Sequence, residues 1–150
     1  MERIIAHVDA NCYYASVEML RNPRLRDVPM AVCGSTDERH GIVLTANYPA
    51  KRRGVKTAMA NWQARQACPG LVVVHPHYND YIQFSGFLRE LYNKYTDRVE
   101  SFGLDEVWMA LDGCVSSFEQ GITVIEEIRA RVRRELGITV SIGLANNKIW

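Results

Sequence analysis

The sequence predicts an α+β fold in which an antiparallel sheet carries two long helices on one face and is interrupted by a smaller inserted unit. Apolar residues at helical spacing indicate the two long helices, over residues 78–95 and 118–136. Alternating or continuous apolar runs indicate strands at both ends of the chain and a hairpin between the helices. The prediction depends on this order of elements.

Composition limits the class of protein. The chain has 150 residues, of which 47% are hydrophobic, enough for one domain or for a domain with an insertion. Its net charge of +1 gives no overall basic field for nucleic acid. Basic residues nonetheless cluster near residues 21–26, 51–56 and 129–134. Each cluster is also typical of a solvated helix face, which is our interpretation of the last one.

Cysteine usage and hydropathy predict a cytoplasmic protein without membrane contact. None of the four cysteines forms a C-x-x-C pair, so a zinc site is not expected. The apolar opening at residues 4–6 is broken by His7 and Asp9, unlike a signal peptide. No apolar run approaches the roughly 20 residues of a membrane span. We expect reduced thiols.

The first strand, residues 3–9, ends in a carboxylate. Asn11 is predicted to cap a helix over residues 13–20, which Asn22 and Pro23 end. Asp9 then lies where a strand meets a helix start. It is equally suited to binding a ligand or to a local hydrogen bond with the turn.

The inserted unit covers about residues 21–75. Strands over residues 28–34 and 41–46 predict a hairpin with a hydrophilic tip. A short basic helix follows from Asn47 to Gly54, then a helix over residues 59–68 and a buried strand over 71–74. The start of the basic helix suits polyphosphate, although an exposed helix explains it as well.

After the first long helix comes a hairpin over residues 99–111, then the second long helix, ended by Gly137, and a last strand over residues 138–143. Without the insertion, this order gives an antiparallel, ferredoxin-like layer of the α+β class.

An acidic corner joins the two strands of that hairpin. Asp105 and Glu106 are adjacent like charges, which a divalent cation would offset, although a solvated turn is the simpler alternative. The topology also allows Asp9 to reach the same edge of the sheet. We therefore predict that the three acids converge.

Four motifs cover most of the chain in order: residues 9–18 (DANCYYASVE), 45–50 (TANYPA), 104–106 (LDE) and 140–148 (VSIGLANNK). In sequence and spacing they resemble the Y-family translesion DNA polymerases, close to the DNA polymerase IV branch. The resemblance implies a catalytic palm of residues 1–20 and 76–150, which is the ferredoxin-like layer. It also implies a fingers lobe of residues 21–75, with thumb and little-finger domains absent from this chain.

The resemblance also implies the cofactor and its ligands. Two Mg²⁺ ions, for which Mn²⁺ can substitute, would be held by the catalytic carboxylates Asp9, Asp105 and Glu106 and by the carbonyl oxygen of Ala10. One ion would lower the pKa of the primer 3′-hydroxyl, and the other would bind the triphosphate and stabilise the leaving pyrophosphate.

The resemblance also implies which residues contact the incoming nucleotide, and they belong to the first two motifs or follow them directly. Tyr14 falls at the steric-gate position of the family, where an aromatic ring excludes a ribose 2′-hydroxyl, and Tyr13 would pack beside the nucleotide. The phosphates would be contacted by Thr45, Tyr48, Lys51 and Arg52.

Three features depart from the family pattern. Lys51 stands where the family usually has arginine, and a lysine lacks the bidentate fork that grips phosphate. Gly103 replaces a common serine before the acidic corner, which predicts a looser corner. The chain ends at Trp150, before the DNA-gripping domains of the family. We therefore expect this piece to hold primer–template DNA weakly and to be inactive or weak alone.

The resulting functional hypothesis is error-prone translesion DNA synthesis by two-metal nucleotidyl transfer. The expected partners are dNTP and primer–template DNA, with a sliding clamp contacted through regions not present here. One alternative is a non-catalytic homologue that acts as a scaffold or binding subunit in a DNA-repair complex. Another is a different two-metal enzyme on a palm-like sheet, such as a nucleotide cyclase.

Overall fold

The computed structural model describes residues 3–35, 37 and 39–146. The chain forms two compact units: Met1–Asn11 with Ile82–Trp150, and Cys12–Tyr81. Within the second unit, the first helix packs against the inserted segment. The palm and fingers boundaries given above remain predictions.

The described elements follow one another in the predicted order. They are β1 (Ile5–Ala10), α1 (Tyr13–Arg21), a 3₁₀ helix (Pro23–Asp27), β2 (Met30–Cys33), β3 (Val43–Ala46), α2 (Tyr48–Arg52), α3 (Asn61–Ala67), β4 (Val72–Val74), α4 (Tyr78–Asn93), β5 (Val99–Phe102), β6 (Glu106–Ala110), α5 (Phe118–Leu136) and β7 (Val140–Ala145). Within these residues no helix is long and apolar enough to cross a membrane.

The first unit contains a four-stranded sheet in the order β5-β6-β1-β7, with antiparallel neighbours throughout. This is the strand order of a ferredoxin-like layer, so the predicted fold class is confirmed. On one side of the sheet, Val8 and Met109 are fully buried. His7 and Asp9 flank Val8 in sequence and lie on the other side, where His7 is half-buried and Asp9 is exposed.

Helix α5 packs against β7 on the buried side of this sheet. Its buried residues Ile125, Ile128 and Val132 recur at helical spacing, which gives the helix one apolar stripe. Ser117 caps its start by accepting a hydrogen bond from the Gln120 backbone N–H. Gly137 ends it with a φ of 77°, as predicted from the sequence.

The second unit contains a three-stranded sheet in the order β3-β2-β4, with β2 and β3 antiparallel and β2 and β4 parallel. The predicted hairpin of the insertion is therefore confirmed. The last strand, β4, was expected to be buried, and this prediction is wrong. Val72 is 38% exposed, because β4 lies at the edge of the sheet.

The start of α1 also differs from its prediction. The residue at the N-cap is Cys12, which has a left-handed φ of 45° and no side-chain cap hydrogen bond. The Asn11 amide instead donates to Thr139 Oγ1 at 3.0 Å, and its carbonyl oxygen accepts from Ser141 Oγ at 2.7 Å. Asn11 therefore ties the end of β1 to the β7 region rather than capping the helix.

Asn47 organises the inserted segment from a fully buried position. Its carbonyl oxygen accepts from the backbone N–H groups of Met30 and Ala50, both at 3.1 Å, which caps α2 and anchors β2. Its amide donates to the backbone carbonyls of Leu25 and Val28, at 3.1 and 2.7 Å. One side chain thus satisfies four buried backbone groups.

Replacement of Asn47 by alanine should lower the free energy of unfolding by about 2–3 kcal/mol, because it leaves these backbone groups without partners. The measurement is urea unfolding followed by circular dichroism. Asn79→Ala is the matched control, since Asn79 is an exposed residue of α4 and its loss should change stability by less than about 0.5 kcal/mol. Equal unfolding midpoints for the two variants would contradict the role given to Asn47.

Candidate active site

The pairing of β1 with β6 brings the predicted acids together. Asp9 is the register partner of Glu106 across the two antiparallel strands, so their side chains emerge on the same side of the sheet. The backbone N–H of Ala10 donates to the carbonyl oxygen of Asp105 at 2.9 Å, which holds the hairpin corner against the end of β1. The three acids therefore lie at one end of the β1–β6 pair within the first unit, as the topology predicted.

The corner before these acids is a tight turn. Gly103 has a φ of 72°, a left-handed conformation in which glycine has no steric cost and serine would be strained. Ser85 of α4 donates from its hydroxyl to the carbonyl oxygen of Leu104 at 2.6 Å. The glycine thus matches the left-handed backbone of this turn, and the looser corner expected from the departure from serine stays a prediction.

Burial and neighbouring negative charge both raise the pKa values of two acids at the corner, Asp9 and Asp105. The pKa of Asp9 is raised, first by partial burial and then by the charge of Glu106, while His7 opposes the shift. The pKa of Asp105 is also raised, first by burial and then by the charge of Asp9. Both carboxylates would gain stability from a nearby cation.

His7 is a neighbour of these acids that sequence reasoning missed. Its Nε2 lies 2.5 Å from Oε1 of Glu106, and its ring contacts that of Trp108 at a centroid distance of 4.5 Å. Glu106 is therefore engaged by an imidazole. His7 stands two residues before Asp9 on one strand, so the period of a strand was the signal that could have identified it.

The chemistry of the donor set fits a hard divalent cation. Asp9, Asp105 and Glu106 offer only oxygen ligands, which Mg²⁺ and Mn²⁺ prefer, and a nearby cation would oppose the burial and like charges that raise the pKa values of Asp9 and Asp105. Within the described residues, however, no three His, Cys, Asp or Glu side chains are grouped closely enough to hold an ion. Glu106 also has a partner already, since its Oε1 lies 2.5 Å from Nε2 of His7.

The tyrosines predicted to meet the nucleotide lie in the second unit, at the start of α1. Tyr13 is buried, and its hydroxyl donates to the backbone carbonyl of Tyr81 at 2.6 Å. Tyr14 is half-buried, and its ring stacks on that of Tyr81 with a centroid distance of 4.3 Å and an interplanar angle of 11°. The ring of Tyr78 meets Tyr14 edge-on at 6.0 Å.

A buried carboxylate lies behind these rings. Glu18 of α1 is 2% exposed, and its Oε2 lies 2.7 Å from Nδ1 of His77. The same oxygen accepts a hydrogen bond from the Tyr81 hydroxyl. The pKa of Tyr81 is raised, first by burial and then by this bond, so its hydroxyl stays protonated and donates at neutral pH.

The predicted phosphate-binding residues also lie in the second unit. Thr45 is half-buried in β3, Tyr48 opens α2 and is 52% exposed, and Lys51 and Arg52 are exposed in the last turn of α2. The Nζ of Lys51 lies 5.6 Å from the centroid of the Tyr48 ring. Two of the predicted contacts are therefore neighbours on one short helix.

Cys12 connects the two groups of the second unit. The pKa of Tyr48 is raised, first by partial burial and then by neighbouring Cys12, with which Tyr48 also shares a side-chain hydrogen bond. The start of α1, which carries Tyr13 and Tyr14, is thus close to the start of α2. The three acids belong to the first unit. The residues predicted to contact the nucleotide all belong to the second unit: Tyr13, Tyr14, Thr45, Tyr48, Lys51 and Arg52.

Comparison with known proteins gives the same reading as the motifs. The profile of the impB/mucB/samB family (IMS) matches residues 8–150. A DNA polymerase IV of Acetivibrio thermocellus is 52% identical over 150 residues, which is 100% of this chain and 38% of that protein. The chain thus spans well under half the length of this relative.

Solved structures agree with this match. A Y-family DNA polymerase chimera of Dbh and Dpo4 superposes with a TM-score of 0.92 at 34% identity, covering 97% of this chain and 43% of the other. The insertion ternary complex of Dbh DNA polymerase gives a TM-score of 0.91 at 35% identity, with the same coverage. The resemblance to Y-family DNA polymerases is confirmed, and the chain belongs to the impB/mucB/samB family.

Proposed function

We propose that the complete protein carrying this sequence catalyses template-directed nucleotidyl transfer in error-prone translesion DNA synthesis. The observation that carries the proposal is the β1–β6 pairing, which sets Asp9 opposite Glu106 beside the tethered Asp105. Neighbouring carboxylates with raised pKa values lower the stability of the folded chain, and membership of the family suggests that they are kept for catalysis. The proposed substrates are a dNTP and a primer–template DNA.

In this proposal Asp9, Asp105 and Glu106, with the carbonyl oxygen of Ala10, hold divalent cations. Two bound Mg²⁺ ions, or Mn²⁺ in their place, would lower the pKa of the primer 3′-hydroxyl and offset the charge of the leaving pyrophosphate. Glu106 would exchange its bond with His7 for a cation. The imidazole of His7 would then retain its contact with Trp108.

The second unit would bind and select the nucleotide. The hydroxyls of Thr45 and Tyr48 and the cationic Lys51 and Arg52 are groups that bind phosphate oxygens. Tyr14 would restrict the space next to the sugar, with its ring supported by Tyr81. A cytoplasmic location is proposed from the free thiols, and contact with a sliding clamp stays a prediction.

One observation favours the scaffold alternative. Within the described residues no three potential ligands are grouped for a metal, and Glu106 already has a partner in His7. A non-catalytic homologue would be free to keep that arrangement. The polymerase needs the carboxylate of Asp105 for primer extension, whereas the scaffold does not.

Asp105→Asn should reduce primer extension by the complete protein about 100- to 1,000-fold, because it removes a charge that acts on the reacting groups. The measurement is gel-resolved extension of a labelled primer with Mg²⁺ and dNTP. Glu126→Gln is the control, since Glu126 is an exposed residue of α5, and it should leave the rate unchanged. Equal rates for wild type and Asp105→Asn would favour the scaffold.

The chain itself should bind Mn²⁺ at the three acids, and Asp9→Ala should weaken that binding at least about tenfold through loss of a ligand charge. Electron paramagnetic resonance of free Mn²⁺ measures the affinity without any need for activity. Mg²⁺ should compete for the same site. Indistinguishable titrations of wild type and Asp9→Ala would remove Asp9 from the proposed ligands.

Without divalent cations, Asp105→Asn should stabilise the chain at pH 7 by a few tenths to about 1 kcal/mol, a range that allows for solvent screening. The raised pKa of Asp105 means that the folded state disfavours its ionised carboxylate. The carboxylate therefore lowers the free energy of unfolding as pH rises above about 4. Urea unfolding at pH 7 and pH 3 measures it, and the difference between variants should shrink at pH 3. A destabilised Asp105→Asn at pH 7 would show that the carboxylate is structural.

A further inference from the structure

We propose that Glu18 is a positioning residue for sugar discrimination: it fixes Tyr81, and Tyr81 fixes the ring of Tyr14. The inference rests on the proposed function, in which Tyr14 excludes a ribose 2′-hydroxyl. It adds a residue that would touch neither the nucleotide nor the cations. All three residues lie in the second unit.

The geometry forms a continuous chain of contacts. Glu18 lies one helical turn after Tyr14 on α1, and its Oε2 accepts the hydrogen bond of the Tyr81 hydroxyl. The Tyr81 ring lies nearly parallel to that of Tyr14, at a centroid distance of 4.3 Å. The backbone carbonyl of Tyr81 is held in turn by the hydroxyl of Tyr13 at 2.6 Å. Tyr81 is therefore fixed at both its hydroxyl and its backbone.

The burial of Glu18 is the observation that calls for a role. A carboxylate that is 2% exposed loses most of its hydration, which costs free energy. Apolar side chains packed in place of such a buried charged group commonly make a protein equally stable or more stable, so stability alone does not explain Glu18. Here Oε2 also lies 2.7 Å from Nδ1 of His77, and Arg21 Nε lies 3.9 Å from Oε1. A network of this kind defines one arrangement of the groups bonded to it.

Steric exclusion needs such a fixed arrangement. If the Tyr14 ring can rotate away from the sugar, a ribose 2′-hydroxyl is excluded only by the free energy that this rotation costs. The selectivity for deoxyribose therefore depends on how firmly the ring is held. Stacking on Tyr81 supplies that restraint while Tyr81 itself is immobile. Loss of the Glu18 bond frees the Tyr81 hydroxyl and weakens the restraint without changing Tyr14.

The test compares incorporation of dNTP and rNTP by the complete protein. Glu18→Ala should lower the ratio of kcat/KM for dNTP over rNTP by about tenfold, equivalent to about 1.4 kcal/mol. The ratio should fall mainly because kcat/KM for rNTP rises, while kcat/KM for dNTP changes by less than about threefold. A defect that is only structural would instead lower both reactions together.

Tyr81→Phe keeps the stacked ring and removes only the hydroxyl, so it tests the same bond if Glu18→Ala does not fold. It should lower the ratio in the same direction, by about threefold. Asn79→Ala is the matched control, because Asn79 lies in the same first turn of α4 as Tyr81 but is exposed. Its ratio should equal that of wild type.

Unchanged ratios for both Glu18→Ala and Tyr81→Phe, in a protein whose wild type discriminates between the sugars, would overturn this inference alone. A ratio lowered equally by Asn79→Ala would also overturn it, since any change in the first turn of α4 would then suffice. If wild type incorporates neither nucleotide, the proposed function fails first and the inference fails with it. A ratio lowered by the first two variants only supports it.

Discussion

The pairing of β1 with β6 is the constraint on which the candidate site depends. Its register sets Asp9 opposite Glu106, and the bond from the Ala10 N–H holds Asp105 beside them. Burial raises the pKa values of Asp9 and Asp105, and the like charges beside them raise these values further, so their ionised forms are disfavoured in the folded chain. The apolar side of the same strands, with Val8 and Met109 fully buried, offsets that cost. The core thus maintains an arrangement that the acids alone would avoid.

The second unit handles charge differently. Its buried acid, Glu18, has hydrogen-bonding partners in His77 and Tyr81, whereas in the first unit His7 contacts Glu106 and the charge of Asp9 still raises the pKa of Asp105. A satisfied buried network favours one defined conformation, and an unsatisfied one favours a ligand. This contrast explains why we assign positioning to Glu18 and cation binding to Asp105. The same residue type serves both tasks because the surroundings differ.

The elements and the acidic site were predictable because their signals are local or ordered along the chain. The apolar stripe of α5 and the glycine that ends it are examples, and so are the motifs around Asp9 and Asp105. The burial of Glu18 was not predictable, because an acid on a short helix is expected to be solvated unless distant residues such as Tyr81 and His77 cover it. Asn11 failed as a cap for a similar reason, since its partners Thr139 and Ser141 are distant in sequence. Non-local partners decide such cases.

The outer strand β5 has a consequence for self-association. An uncovered strand edge exposes unpaired backbone groups to which another polypeptide can add, and this is a common origin of aggregates. Strand β5 is only four residues long and includes the charged Glu100 beside the exposed Phe102. Brevity and charge both discourage such an addition, even with an aromatic ring at the end of the strand. Length and charge at this border of the sheet thus both act against the pairing of β5 with a second copy of the chain.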